Sequence, residues 1–139
     1  KIQNQPFRRY INMFIRRLMA LSLIATTAVF TSTAFAGDAA KGKKVFNKCK
    51  ACHTVKAGKN KVGPSLAGIV GKKAGTVKGY KKYKGLKGAD WSWNEAELNG
   101  YLANPKKYLK GKTGKKSAMV LKLKKKKDRD NVIAYLKAN

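Results

Sequence analysis

The residues that could do chemistry in this chain are concentrated in one pentapeptide, Cys49-Lys50-Ala51-Cys52-His53. It contains the only two cysteines and the only histidine of the 139 residues. C-x-x-C-H is the attachment signature of c-type haem, because two thiols at this spacing can form thioethers with the two vinyl groups of one porphyrin. The imidazole that follows is then delivered to the iron as an axial ligand. The pentapeptide therefore predicts one covalently bound haem.

Three other interpretations use the same residues. A structural zinc site takes four Cys or His ligands, and the pentapeptide offers three. A thioredoxin-like pair would lie at a helix start after a strand, in an α/β setting that this sequence does not indicate. An inert local disulfide would suit an exported protein, but it leaves His53 unexplained.

The first 36 residues have the pattern of an export signal. Arg16 and Arg17 form a basic region, residues 18–30 are apolar, and Ala34-Phe35-Ala36 resembles an A-x-A cleavage site. We therefore predict a signal peptide over residues 1–36.

The mature domain predicted by this cleavage site covers residues 37–139. Residues 1–12, which precede Met13, are interpreted as an over-extended start. An uncleaved leader would instead anchor the protein in a membrane, but the apolar run is shorter than the ~20 residues that a span prefers. We expect export to the periplasm, which brings the cysteines to the compartment where thioethers form in bacteria.

The mature domain is expected to be all-α, because no segment shows the alternation of a half-buried strand. Asp38 is a good N-cap for a first helix that runs through Phe46 toward Cys49. Residues 56–88 are rich in Gly and Lys, which predicts loops with at most a short helix near residues 65–70.

Two further helices are predicted in the C-terminal half. Asn94 and Glu97 have capping-box spacing, and Asn104-Pro105 ends the helix that they begin, because the residue before proline avoids the α region. The last helix is predicted over residues 126–137. Its buried face is predicted to be Val132, Tyr135 and Leu136, with Ile133 flanking. A large flat porphyrin at the centre would give the long loops between these helices something to pack on.

Met119 is the only methionine after the leader. A lone methionine is most often a gap-filling core residue. Here one haem has no second histidine, and Met119 precedes the last helix, so its thioether is the natural sixth ligand; the rivals are Lys115, Lys116 and Lys122. His/Met ligation raises the reduction potential and suits electron transfer, and it leaves no open iron for oxygen or peroxide. We therefore expect an electron carrier rather than an enzyme.

Residues 37–139 resemble a small soluble class I cytochrome c along essentially their whole length. Residues 37–46 look like the N-terminal helix of that family, and residues 130–136 look like its C-terminal helix. In residues 62–66 the carbonyl of Pro64 resembles the acceptor of a hydrogen bond from the axial histidine. The resemblance implies terminal helices that pack together, through Gly42 and Phe46 on one side, and long loops wrapped around one haem.

The resemblance also implies roles for side chains of the haem pocket. Trp93 falls where the family has a tryptophan that hydrogen-bonds a haem propionate, Tyr101 resembles the tyrosine near the methionine ligand, and Tyr80 resembles a propionate contact. Lys72 replaces an arginine that commonly supports a propionate, and lysine is not its equal at a planar, multi-donor site. Trp91 has no counterpart role in the family.

The formal net charge of +27 points to acidic partners. The lysines expected around the exposed haem edge are Lys48, Lys50, Lys56, Lys106, Lys107, Lys110, Lys115 and Lys116. They predict docking onto acidic patches of membrane redox complexes, with on-rates raised by ~10–10³ and weakened by salt. The expected donor is a quinol-oxidising, cytochrome bc1-type complex. The expected acceptor is a cytochrome oxidase, a reductase or a photosynthetic reaction centre, and the carrier is expected to be a monomer.

The same charge fits two other interpretations. It could be a generic solvated basic surface, or it could serve a polybasic protein that binds nucleic acid or anionic membranes. The second alternative leaves the pentapeptide, the export signal and Met119 unexplained. We expect no specific nucleic-acid partner, and a nonspecific electrostatic contact with anionic membranes.

Overall fold

The computed structural model describes residues 37–139, so the signal peptide and start predicted over residues 1–36 lie outside the described residues. The described chain forms four α-helices joined by long irregular segments: α1 (Ala39–Phe46), α2 (Glu95–Ala103), α3 (Pro105–Thr113) and α4 (Lys126–Lys137). Within residues 37–139 the only β-pairing is one isolated bridge between Lys73 and Ser92. The predicted all-α class is confirmed. None of these four helices is long and apolar enough to cross a membrane.

Helices α1 and α2 begin where their capping residues predict. The side chain of Asp38 accepts the N–H of Lys41 at 2.9 Å, and the side chain of Asn94 accepts the N–H of Glu97 at 2.8 Å. Each bond satisfies a backbone donor that has no partner within the first turn of its helix. The local sequence therefore determines both starting points.

Helix α3 is absent from the sequence prediction, which places a stop at Asn104-Pro105 and nothing after it. The stop is correct, since α2 ends at Ala103, but the same dipeptide begins a new helix. Asn104 caps it by accepting the N–H of Lys107 at 3.2 Å, and Pro105 occupies the first turn. Proline suits that position because its fixed φ is helical and its missing N–H would have no partner there.

Helices α1 and α4 pack against each other at very close range. A Cβ on Gly42 would overlap the carbonyl oxygen of Asn131 and would lie 2.7 Å from the Cβ of Tyr135. The rings of Phe46 and Tyr135 are 5.3 Å apart, and the side-chain oxygen of Asn131 accepts the N–H of Asp38 at 2.9 Å. The expected contact between the terminal helices is confirmed.

The buried face of α4 differs from the prediction at two positions. Ile133, predicted to flank the face, is 0% exposed and lies at its centre, together with Val132 and Leu136. Tyr135, predicted to be buried, is only half-buried. The reason is that α4 is covered by α1 and also by α2, so the buried stripe is wider than a single partner helix would require.

Residues 47–93 form turns and loops without a helix, and the short helix considered near residues 65–70 is a pair of turns. Side chains bond to the backbone across these loops. The amide of Asn60 accepts the N–H of Ser65 at 2.9 Å and donates to the carbonyl of Lys78 at 3.1 Å. The hydroxyl of Tyr80 donates to the carbonyl of Val62 at 2.8 Å. These bonds tie the loop around residue 62 to the loop around residue 79.

Candidate haem-binding site

A cavity with about 1360 Å³ of empty volume, partly open to solvent, lies among α2, α4 and the loops. Its walls bring together all of the predicted site residues: Cys49, Cys52, His53, Pro64, Tyr80, Trp93, Tyr101 and Met119. Most of the remaining lining is apolar and includes Leu66, Ile69, Leu98, Leu102, Val132 and Leu136. A large apolar cavity with a few convergent polar groups is typical of a cofactor site.

The pentapeptide turns back on itself directly after α1. The N–H of His53 donates to the carbonyl of Cys49 at 2.9 Å. Cys49 is buried, Cys52 is exposed, and both thiols are free. Burial raises the pKa of the Cys49 thiol to about 11, against the opposing charge of Lys48 and with a smaller contribution from Cys52. A thioredoxin-like nucleophile has a lowered pKa, so the environment of Cys49 disfavours that alternative.

The backbone fixes the ring of His53 from two sides. Its Nδ1–H donates to the carbonyl of Pro64 at 2.8 Å, the contact that the family resemblance implies. A Cβ on Gly63 would overlap the ring and lie 2.7 Å from its Nδ1, so the ring requires a glycine at this position. Burial lowers the pKa of His53, the hydrogen bond that its ring donates to Pro64 opposes this shift, and the charge of Lys61 lowers the pKa further. A neutral ring that is protonated at Nδ1 leaves the lone pair of Nε2 for a metal.

Met119 is held by a polar contact that sequence analysis missed. The buried Ser117 Oγ accepts the N–H of Met119 at 3.1 Å and lies 3.1 Å from the hydroxyl of Tyr101. Burial raises the pKa of Tyr101, and its bond to Ser117 opposes that shift. The only signal in the sequence was a serine two residues before the single methionine of the domain.

Aromatic side chains form one wall of the cavity. Trp93 is buried, and its ring lies 5.0 Å from that of Tyr101 and 6.4 Å from that of Tyr108. Trp91, which has no role in the resemblance, packs edge-on against Trp93 at 6.1 Å, and the ammonium of Lys112 lies 4.7 Å above its ring. Trp91 therefore does not line the cavity itself but packs against Trp93, which does.

The ammonium of Lys72 donates to the carbonyl of Ala67 at 3.2 Å. Lys72 stands where the family commonly has an arginine, and its side chain forms this hydrogen bond within its own loop.

The mouth of the cavity combines apolar and basic side chains. Val62 and Val120 are both 70% exposed and line the cavity. Lys48, Lys82 and Lys84 are exposed lining residues as well. Sequence analysis missed the last two, because no motif distinguishes them from the many other lysines.

The eight lysines predicted for the haem edge are all exposed. Among them, Lys48 lines the cavity and lies 3.4 Å from a carboxylate oxygen of Asp128. Its charge is therefore partly balanced within the protein.

The donor set fits a c-type haem. Two free thiols and an imidazole come from the pentapeptide, a thioether comes from the segment before α4, and most of the other residues that line the cavity are apolar. Soft sulfur and imidazole donors are the axial ligands of electron-transfer cytochromes.

The family model for cytochrome c matches residues 39–139. The chain belongs to the cytochrome c family. It is 41% identical to the cytochrome c-550 of Paracoccus versutus in an alignment that covers 85% of this chain and 88% of that protein. It is 40% identical to the cytochrome c2 of Cereibacter sphaeroides in an alignment that covers 86% of this chain and 93% of that protein. The solved structure of the cytochrome c2 of Rhodospirillum centenum superimposes with a TM-score of 0.68 at 36% identity, covering 73% of this chain and 98% of that one.

These similarities define the class of the protein. It has the cytochrome c fold, it carries haem c as a covalent cofactor, and it is a monohaem electron carrier rather than an enzyme. The expectations of family, fold class, cofactor and non-enzymatic function are confirmed.

Proposed function

We propose that this cytochrome c shuttles single electrons in the periplasm, with its haem attached to Cys49 and Cys52 and ligated by His53 and Met119. The observation that carries the proposal is that one apolar cavity is lined by all four of these side chains. When bound, the haem iron supplies the redox chemistry by cycling between Fe(III) and Fe(II).

The protein side chains would set the reduction potential of that iron. The bond between His53 and Pro64 holds the imidazole in one orientation. The soft sulfur of Met119 favours the ferrous state, and the apolar walls disfavour the additional charge of the ferric state. The expected result is a high potential and little reorganisation on electron transfer.

The pocket residues would act on the haem propionates. Trp93 is proposed to donate its indole N–H to a propionate. Tyr80 is proposed as a second contact, but the hydrogen of its hydroxyl is donated to the carbonyl of Val62 at 2.8 Å. Tyr80 would therefore donate to a propionate only by giving up that bond, whereas Tyr101 would remain next to the ligand loop through Ser117.

Replacing Met119 tests the ligand set. Met119→Ala should lower the reduction potential of the purified holoprotein, because the sulfur that favours the ferrous iron is gone. Val45→Ala is the control, because Val45 is a partly buried apolar residue that does not line the cavity. A potential that stays unchanged in Met119→Ala would show that Met119 is not the ligand.

We further propose that the basic mouth of the cavity docks onto acidic patches of membrane redox complexes. The donor would be a quinol-oxidising complex, and the acceptor a terminal oxidase, a reductase or a photosynthetic reaction centre. Lys82 and Lys84 are exposed at the mouth beside the apolar side chains of Val62 and Val120. An apolar centre with basic side chains beside it favours electrostatic approach followed by a short-lived contact.

Charge reversal tests this docking face. Lys82→Glu with Lys84→Glu should slow electron transfer to an acidic oxidase by about tenfold at low salt, and the difference should shrink at high salt. Lys124→Glu with Lys125→Glu is the control, because it makes the same charge change in an exposed segment that does not line the cavity. Equal effects of the two double variants would favour a generic basic surface. Tight DNA binding without any electron transfer would support the polybasic alternative.

A further inference from the structure

Arg129 is the only arginine after residue 36, although lysine is the most common residue of that part of the chain. Every other basic position there is lysine. The exception lies in the first half of α4, where the side chain is half-buried. The hydrogen bonds of Arg129 indicate what an arginine provides at this position.

The guanidinium of Arg129 donates hydrogen bonds to three acceptors. Its Nη1 donates to the carbonyls of Leu123 and Lys124, at 2.8 Å each. Its Nε donates to the side-chain oxygen of Asn99 on α2, also at 2.8 Å. The amide of Asn99 in turn donates to Asp130 at 2.9 Å. Arg129 therefore connects α2, α4 and the segment between Met119 and α4.

That segment has a second bond at the same place. The N–H of Leu123 donates to the carbonyl of Leu102 on α2 at 2.9 Å, and the side chain of Leu123 is buried. On the other side of Met119, Ser117 contacts Tyr101, which is also on α2. Met119 thus lies between two anchors, and both attach to the same helix.

We propose that Arg129 is a positioning residue that keeps Met119 in the cavity by holding the segment at Leu123 and Lys124. The proposal rests on Met119 being the sixth ligand. A planar fork of N–H donors can reach two carbonyls and an amide oxygen at once, whereas the ammonium of a lysine is a single point on a flexible stem. Hydrogen bonds from a charged donor are also stronger than neutral ones.

The experiment measures how readily a competing ligand displaces Met119. Imidazole is titrated into the ferric, full-length holoprotein and into its Arg129→Lys variant, and binding is followed by the loss of the weak red sulfur-to-iron absorption band. Imidazole binds only when Met119 has left, so its apparent affinity reports the fraction of open molecules. We expect imidazole to bind about tenfold more tightly to Arg129→Lys, since one or two charge-assisted hydrogen bonds are lost.

Two further variants separate positioning from general stability. Asn99→Ala removes one of the three acceptors of Arg129, so its effect on imidazole affinity should have the same direction and be smaller. Ile133→Val weakens α4 at a fully buried position that lies outside this network. It should lower the thermal midpoint and leave the imidazole affinity within about twofold of the parent protein.

The proposal is overturned if Arg129→Lys binds imidazole as weakly as the parent protein does. It is also overturned if Ile133→Val raises the affinity as much as Arg129→Lys at an equal shift of thermal midpoint. If the ferric parent protein lacks the red band, Met119 is not the ligand, and both this proposal and the proposed ligand set fail. An intact band in the parent protein with an unaltered Arg129→Lys variant rejects the role of Arg129 alone.

Discussion

The helix pair α1/α4 and the loop region of residues 47–93 are organised in opposite ways. The helices meet through direct packing, with Gly42 against the backbone of Asn131 and the ring of Phe46 against Tyr135. The loops have no regular secondary structure apart from one isolated β-bridge, which pairs Lys73 with Ser92 near the end of this region. Many of their inner side chains line the cavity, and some, such as Tyr80 and Tyr83, also contact one another.

This difference shows what each region depends on. The helix pair is joined by direct contacts between its own residues, such as the rings of Phe46 and Tyr135. The loops are joined by a few hydrogen bonds, such as those of Asn60 and Tyr80, and those bonds have exposed or partly buried partners. Such bonds contribute only about 1 kcal/mol each. A haem in the cavity would add apolar contacts to the loop side chains that line it, such as Leu66 and Ile69.

The largest expected effect comes from removing the haem. A Cys49→Ala, Cys52→Ala double variant, produced without cofactor, should lose most of its helical signal in far-ultraviolet circular dichroism and melt without a cooperative transition. The physical reason is that the cavity walls lose their common partner, and a domain of this size has few other buried contacts. A cooperative melt of a fully helical, haem-free protein would show that the fold does not depend on the haem.

The next largest effect should come from the helix pair. Gly42→Val should lower the free energy of unfolding of the holoprotein by about 3 kcal/mol, because its Cβ would overlap the carbonyl oxygen of Asn131. The measurement is the midpoint of denaturant unfolding. Lys43→Ala, at the adjacent exposed position, should change the stability by less than about 0.5 kcal/mol.

A smaller effect is expected at the ring of His53. A Cβ on Gly63 would lie 2.7 Å from its Nδ1, so Gly63→Ala should disturb the hydrogen bond to Pro64. We expect a loss of about 2 kcal/mol in holoprotein stability together with a shifted reduction potential.

Gly111 provides the matched control for that variant. A Cβ on Gly111 would have no atom within 4 Å, and Gly111 lies inside α3. Gly111→Ala should therefore raise the stability by about 0.5–1 kcal/mol and leave the potential unchanged. A potential that shifts equally in both variants would contradict the proposed role of the His53 environment.

The smallest effect is expected in the loops themselves. Asn60→Ala removes the bonds to Ser65 and Lys78, and it should destabilise the holoprotein by about 1 kcal/mol. Lys59→Ala, next to it and exposed, should have almost no effect in the same thermal melt. A loss as large as that of Gly42→Val would show that the loops are held by their own bonds rather than by the haem.

The features that could be predicted from the sequence are those that depend on residues close together along the chain. The caps at Asp38 and Asn94 fix the starts of α1 and α2, and the pentapeptide combines its thiols and imidazole within five residues. Helix α3 was missed because Asn104-Pro105 ends one helix and also begins the next. The end of α2 can be predicted from the dipeptide alone, whereas the start of α3 also depends on the residues that follow it.

The remaining features depend on tertiary contacts between distant segments. The role of Ser117 requires the hydroxyl of Tyr101 on another helix. The bonds of Arg129 require the carbonyls of Leu123 and Lys124 and the amide of Asn99. Local pattern and composition do not specify the partners of such contacts, and the same limit applies to the lysines at the cavity mouth.

The central claim is that one cavity supplies both axial ligands, His53 and Met119, to a single haem. Its most direct test is the visible absorption spectrum of the purified holoprotein in the oxidised and reduced states, before and after addition of carbon monoxide. The account predicts sharp low-spin bands on reduction, a weak red sulfur-to-iron band on oxidation, and no change with carbon monoxide. A high-spin or carbon-monoxide-binding haem would contradict it, because the sixth position of the iron would then be open.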